Sequence, residues 1–226
     1  KFISECKTER ECAVRSIEMA KTKGYIDLKD VISEGKSLKA GDKVYACNMG
    51  KAVVLFNIGK EPMEKGMKIL GAHIDSPRLD IKQNPLYEDS DLVLMDTHYY
   101  GGIKKYQWAT IPLALHGVVA LTDGRVIDVV IGENETDPVL CVSDLLIHLA
   151  ADQMEKKASK VIEGEALDVL VGNEVVQNDG DAVLIKNGVK SGFLKFVDSN
   201  RGGNVVAQND IQLCTDQLAG NHGGEA

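Results

Sequence analysis

The sequence predicts an α/β protein in two parts, an α/β segment followed by a smaller β-rich domain. Three observations predict it. A capped amphipathic helix opens the chain. A strand–turn–strand unit and an apolar, buried-looking strand follow. From about Asp91 to Gly132 the apolar pattern then turns almost wholly to strand. With 226 residues the chain has the length for one large domain or two small ones.

The helix is signalled by Thr8 and Glu11, a T-x-x-E capping box in which each side chain satisfies a backbone N–H at the helix start. Ala13, Val14, Ile17 and Ala20 follow at helical spacing, and Gly24 is placed to stop the helix. "KVYACN" and "KAVVLFNI" flank Met49-Gly50, a strand, a tight turn and a strand. "MKILGAH" reads as a third, buried strand. "NPLYEDS" clusters turn formers, which puts a domain boundary near Pro85 to Ser90 and gives an N-terminal domain of residues 1–90. "DLVLMDTHYY", "YQWATIPLALHGVVAL" and "RVIDVVIG" are strand-like, with Thr122-Asp123-Gly124 as a turn between the last two. A second helix is expected from an N-cap at Ser143, burying Leu145, Leu146, Leu149 and Ala150. The β-rich domain then covers residues 91–173. Residues 174–226, rich in Gly and Asn, are left unassigned, with a Gly-rich and poorly ordered end expected.

Composition narrows the function classes. Apolar content of 44% and charged content of 27% are those of a soluble globular protein. No apolar run reaches the roughly 18 residues of a membrane span, and the N-terminus lacks the apolar core of a secretion signal. The first residue is Lys rather than Met, as expected of a fragment or a trimmed chain. Net charge is −8 without a dense basic cluster, which argues against a nucleic-acid surface. Five scattered cysteines, Cys6, Cys12, Cys47, Cys141 and Cys214, include no C-x-x-C pair and suit a reducing cytoplasm.

The chemistry points to "GAHIDSP". Residues two apart in a strand project to the same side, so His73 and Asp75 would stand together at the end of "MKILGAH". Open α/β sheets carry their sites at the carboxyl ends of strands. Imidazole is a good zinc ligand, and a carboxylate beside it can hold the ring. A bare H-x-D is short, and taken alone it is more often a capped strand end. His148 lies at the edge of an apolar stripe and reads as structural on the same terms. His98 and His116 have no ligand partner at i+2 or i+4. Trp108 and its neighbouring tyrosines read as packing or interface residues, and Gly101-Gly102 as a backbone bend.

The surroundings add weight. "ILGAHIDSPRLDIK" resembles the first metal motif of the aspartyl aminopeptidase family, family eighteen of the metallopeptidases. "HYYGGIKKYQWATIPLALHGVV" resembles the segment that enters that family's second domain, "VSDLLIHLAADQ" its lid helix and "ALDVLVGN" the strand after it. "KTERECAVRSIEMAKTKGY" resembles the early helix. The likeness is collinear over about residues 1–173.

The resemblance implies a zinc-peptidase α/β domain followed by a lid and dimerisation domain, peptide substrates, two zinc ions per site and a dodecameric homo-oligomer. It implies that His73 is a zinc ligand, that Asp75 is the acidic residue supporting that site, and that His148 reaches a neighbouring subunit's site to help bind substrate. The family also uses a bridging Asp, an adjacent Glu-Glu pair, a further acidic ligand and a late His. No two glutamates are adjacent here, and nothing is carried onto Asp179, Asp181 or His222. Since catalytic zinc needs about three protein ligands, the 226 residues alone are expected to be inactive. The rival reading is a non-catalytic assembly or binding protein that keeps the family's first half.

Overall fold

The computed structural model describes residues 1–120, 124–173 and 210–215. The chain forms two compact units, Lys1–Ser76 and Pro77–Ala226.

In the first unit, helix α1 (Phe2–Glu5) leads into α2 (Glu9–Thr22). The capping box forms as expected. The Glu11 N–H donates to Thr8 Oγ1 at 3.3 Å, and Glu11 Oε2 accepts from the Thr8 N–H at 2.9 Å and the Lys7 N–H at 2.7 Å. Gly24, at φ +82°, stops the helix. Its N–H bonds to Lys21 O and that of Tyr25 to Ala20 O, so the last carbonyls are satisfied by a left-handed turn. Cys12, Ala13 and Ala20 are the apolar residues α2 buries, and Val14 of the expected stripe is exposed.

Strand β1 (Ile26–Asp27) pairs in parallel with β2 (Lys43–Asn48), and β2 pairs antiparallel with β3 (Ala52–Asn57). Between β1 and β2, Asp27 caps α3 (Leu28–Ser33) through the Lys29 N–H. The β2–β3 turn carries Met49 and Gly50, both at positive φ, and Arg10 Nη1 donates to the Met49 carbonyl at 3.2 Å.

The second unit holds a seven-stranded antiparallel sheet. Its members are β4 (Arg78–Asp89), β5 (Leu92–Tyr100), β6 (Leu113–Ala120), β7 (Val126–Ile131), β8 (Cys141–Val142), β9 (Val169–Gly172) and β10 (Asp210–Thr215). They lie in the order β7-β6-β10-β4-β5-β9-β8. One strand of the unassigned region, β10, thus pairs with both β4 and β6. Leu79, Met95, Leu113, Leu115, Leu167 and Val169 form the centre of the core. Within it the buried Thr97 hydroxyl donates to Leu167 O at 2.6 Å. The structure places α4 (Ala151–Met154) after β8.

The structure departs from the local sequence reading at several points. Met67–His73 forms no strand. Met67, Ile69 and Leu70 are exposed, Leu70 fully, because a strand needs a neighbouring backbone and none of the described residues pairs with this segment. Pro85 does not end an element. It sits in β4 where the pairing with β5 breaks register between Ile81 and Leu86, a position that tolerates a missing N–H. Ser90 and Asp91, both at positive φ, close a two-residue hairpin, and the compact units divide earlier in the chain. No helix starts at Ser143. Leu146 leads a short 3-10 turn, Ile147–Leu149, before α4, and of the expected stripe Ala150 alone is buried. "YQWATIPLALHGVV" is largely internal, with Trp108, Leu113, Ala114 and Leu115 all buried. Thr122 and Asp123 of the expected turn lie outside the described residues.

At the end of β7 the Asp137 carboxylate accepts from the backbone N–H groups of Gly132, Glu133 and Asn134 at 2.9 to 3.1 Å. The Asn134 and Gly132 N–H groups hold its carboxyl below the ordinary carboxylate value. A depressed folded pKa stabilises above the unfolded pKa and is lost as pH falls through the folded one. Hydrogen exchange at residues 132–134 should therefore be steady from about pH 5 to 8, after correction for intrinsic rates, and should accelerate only below the usual carboxylate range. Asp137→Ala should remove that acid transition.

Candidate functional site

His73 and Asp75 sit in the irregular stretch that ends the first unit. The expected ladder is absent, yet the two side chains do come together. His73 Nδ1 lies 3.2 Å from Asp75 Oδ1 and 3.1 Å from the Asp75 backbone oxygen. A carboxylate and a carbonyl oxygen can only accept, so Nδ1 carries the hydrogen. In the neutral ring the lone pair is then on Nε2. The imidazole is 84% exposed and the Asp75 side chain 38%. This is the arrangement in which an acidic partner fixes the tautomer of a metal-binding histidine.

His148 belongs to the second unit. It lies in the Ile147–Leu149 turn and is exposed rather than set in a buried stripe. Asp144 replaces Ser143 as the local anchor, since Asp144 Oδ1 accepts from the Leu145 N–H and from Gln153 Nε2, each at 2.8 Å. Leu145, Leu146, Ile147 and Leu149 surround His148 in sequence, and all four are exposed.

Among the described residues, His98 and His116 have structural partners. His98 stacks on Tyr99 with ring centroids 5.5 Å apart. His116 is buried, with Nε2 2.7 Å from Glu133 Oε1. The structure also shows a polar group that sequence reading passed over. Lys82 Nζ bridges Asp96 Oδ1 at 2.9 Å and Glu165 Oε2 at 2.6 Å, and the Tyr87 hydroxyl donates to Asp168 Oδ2 at 2.6 Å. Burial, first of all, raises the Asp168 carboxyl above its ordinary range. Glu165 and Asp168 lie far along the chain from Lys82 and Tyr87, so no local pattern could have paired them.

No group of three or more His, Cys, Asp or Glu able to hold a metal occurs among the described residues. His73 with Asp75 fits one ligand and its support. A histidine whose Nδ1–H is held by a carboxylate is oriented to offer Nε2 to a metal. Comparison with known proteins gives the family. Residues 2–224 match the family described as aminopeptidase I zinc metalloprotease (M18), and the chain belongs to that family.

A probable M18 family aminopeptidase 1 of Clostridium acetobutylicum is 57% identical over 197 residues, which cover 87% of this chain and 42% of the relative. The crystal structure of aminopeptidase I from that organism aligns at 51% identity with a TM-score of 0.78, over 94% of this chain and 46% of that one. The M18 aminopeptidase of Thermotoga maritima aligns at 36% identity and a TM-score of 0.83, over 95% of this chain and 46% of that one. The S. cerevisiae mApe1 dodecamer shares the fold at 17% identity and a TM-score of 0.64, over 96% of this chain and 47% of its own. The chain thus spans less than half the length of each of these relatives. The family description carries zinc as its metal. Among the described residues no helix is long and apolar enough to cross a membrane.

The His73–Asp75 contact has a direct test. In nitrogen NMR the neutral His73 ring should populate the Nδ1–H form almost wholly. Asp75→Ala should shift the ring toward the Nε2–H form that an unrestrained imidazole favours. An unchanged tautomer ratio in Asp75→Ala would show that the carboxylate does not set it.

Proposed function

We propose that the intact protein is a cytoplasmic, zinc-dependent aminopeptidase that removes N-terminal residues from peptides, and that this chain carries only part of its active site. The observation that carries the reading is the His73 imidazole held through Nδ1 by Asp75, which leaves Nε2 as the ligand atom. Family membership and the C. acetobutylicum relative support it. The domain reading is kept as a proposal: residues 1–90 begin a catalytic α/β domain, residues 91–173 form a lid and oligomerisation domain, and residues 174–226 stay unassigned between catalytic remainder and tail.

Each residue has a distinct task in this reading. His73 binds one of two zinc ions through Nε2. Asp75 holds the ring in the binding tautomer and orients it. His148 presents an N–H to the substrate carbonyl of a neighbouring subunit. Zinc, when bound, polarises that carbonyl and makes water a nucleophile near neutral pH. The general base and the other ligands belong to the part of the family's length that this chain does not span, so the 226 residues by themselves do not hydrolyse peptides. Assembly as a homo-oligomer is supported by the dodecamer formed by S. cerevisiae mApe1 and by the exposed run Leu145–Leu149.

In the intact protein, His73→Ala should remove bound zinc and peptidase activity together, read by metal analysis and by turnover of short peptides. Full zinc content with full turnover would defeat the assignment. Asp75→Asn should lower activity more than it lowers the unfolding midpoint.

His148 calls for a test of its role in trans. Losing one oxyanion donor typically costs about 3 kcal/mol, roughly a hundredfold in rate. His148→Phe should show that loss with zinc content and unfolding midpoint unchanged. Co-assembly of His148→Phe with His73→Ala subunits should restore part of the activity, because some sites then join an intact His73 to an intact His148. Mixed oligomers without any recovery would place His148 within its own subunit or in helix packing alone.

A further inference from the structure

Two cysteines of the first unit come together outside the candidate metal site. Cys6 ends α1 and Cys12 lies in the first turns of α2, with 4% and 7% exposure. The Cys12 thiol donates to the Cys6 carbonyl oxygen at 3.8 Å, which sets the Cys12 sulfur against residue 6. Between them, Thr8 and Glu11 form the capping box, which fixes the backbone and holds both cysteines in place. Both cysteines are reduced in the structure.

We propose that Cys6 and Cys12 form a reversible dithiol–disulfide site whose oxidant is a hydroperoxide. The proposal does not depend on the aminopeptidase reading.

Access comes through α1. That helix buries none of its own residues, and Ile3 is 71% exposed. Glu5 of α1 pairs with Arg15 of α2 at 3.5 Å, an ion pair that is largely solvated. Segments with so little buried surface open locally at small cost, and opening α1 uncovers Cys6. Closed, the pair is protected. Burial pushes the Cys12 thiol up to about 11, and burial followed by the Glu11 charge raises Cys6.

Cys6 therefore reacts first, in the opened state. Its thiolate attacks the outer peroxide oxygen and the O–O bond breaks. With hydrogen peroxide, hydroxide leaves and takes a proton to become water, and Cys6 becomes a sulfenic acid. The Cys12 sulfur then attacks the Cys6 sulfur and the S–O bond breaks. The departing oxygen takes the Cys12 proton and leaves as a second water. Two thiols are oxidised by two electrons and one peroxide is reduced to two waters. The product ties α1 to α2.

The test uses the 226-residue chain and hydrogen peroxide. After quenching, alkylation and digestion, the expected product is a peptide cross-linked between Cys6 and Cys12 that lacks two hydrogens and is restored by dithiothreitol. Hydrogen exchange over residues 2–8 should slow by at least about tenfold in the oxidised chain, because local opening of α1 is blocked. The Cys6→Ser chain should lose this slowing. A Cys47→Ser, Cys141→Ser, Cys214→Ser chain should still form the cross-link, and if that variant does not fold, mapping in the native chain decides. Three outcomes would overturn the proposal. Both thiols could remain unmodified under conditions that fully oxidise glutathione. Either could pair with another cysteine instead. Cys6 could proceed to the sulfinic acid with Cys12 untouched.

Discussion

The pairing of β4 with β5 is the contact on which the second unit depends. This ladder runs from Arg78↔Tyr100 to Asp89↔Leu92, and it starts directly after Pro77. It places Leu79, Ile81 and Met95 toward the core. On the flanks of the pair, β10 joins β4 and β9 joins β5. The start of the ladder is secured twice. Arg78 is buried, its Nε donates to Asp80 Oδ1 at 2.7 Å, and its guanidinium lies over the Tyr100 ring at 4.0 Å. The turn beyond Tyr100 needs Gly101, whose φ of +81° would strain any other residue. The same ladder, with β9, places Thr97 against Leu167, where one buried hydroxyl bond closes the sheet onto the segment ahead of β9. A cavity or a polar change at Leu79 or Met95 would therefore be felt across several strands rather than at one.

What was legible in the sequence was mostly local. The capping box at Thr8 and the stop at Gly24 are set by hydrogen bonds that span three to five residues, and both formed as read. The Met49-Gly50 turn is equally local. The misreadings all concern structure that depends on distant partners. "MKILGAH" has the composition of a buried strand, but composition cannot supply the neighbouring backbone, and the described residues offer none. "NPLYEDS" looked like a boundary because it clusters turn formers. Pro85 instead falls where the β4–β5 pairing breaks register between Ile81 and Leu86, and that register is fixed by the partner strand. The "DLLIHLAADQ" segment has helical spacing, but among the described residues its leucines are exposed, and the helix formed is the short α4.

The candidate site divides along the same line. The His73–Asp75 contact was legible as two residues apart, though its cause differs from the one inferred. A strand would have aligned the side chains by pleat, whereas here one Nδ1–H shared between the carboxylate and the backbone carbonyl of Asp75 folds the loop onto itself. His148 was singled out by resemblance alone, since its own surroundings gave it a structural reading. The network of Lys82, Asp96 and Glu165 was not legible at all, because its members meet across strands and a connecting segment.

The exposed apolar residues have a physical consequence. Leu145, Leu146, Ile147 and Leu149 flank a polar, titratable side chain in a short turn beside the Asp144–Gln153 contact. Water contact at four such side chains is unfavourable by roughly 1.5 to 3 kcal/mol each relative to full burial. Such side chains are suited to burial against a further surface. On the proposed reading a neighbouring subunit supplies that surface, and the imidazole carried in the middle of the segment is positioned by the interface. On that reading a histidine exposed in its own subunit can still be part of an active site, its geometry completed on assembly, which local sequence pattern has no way to show.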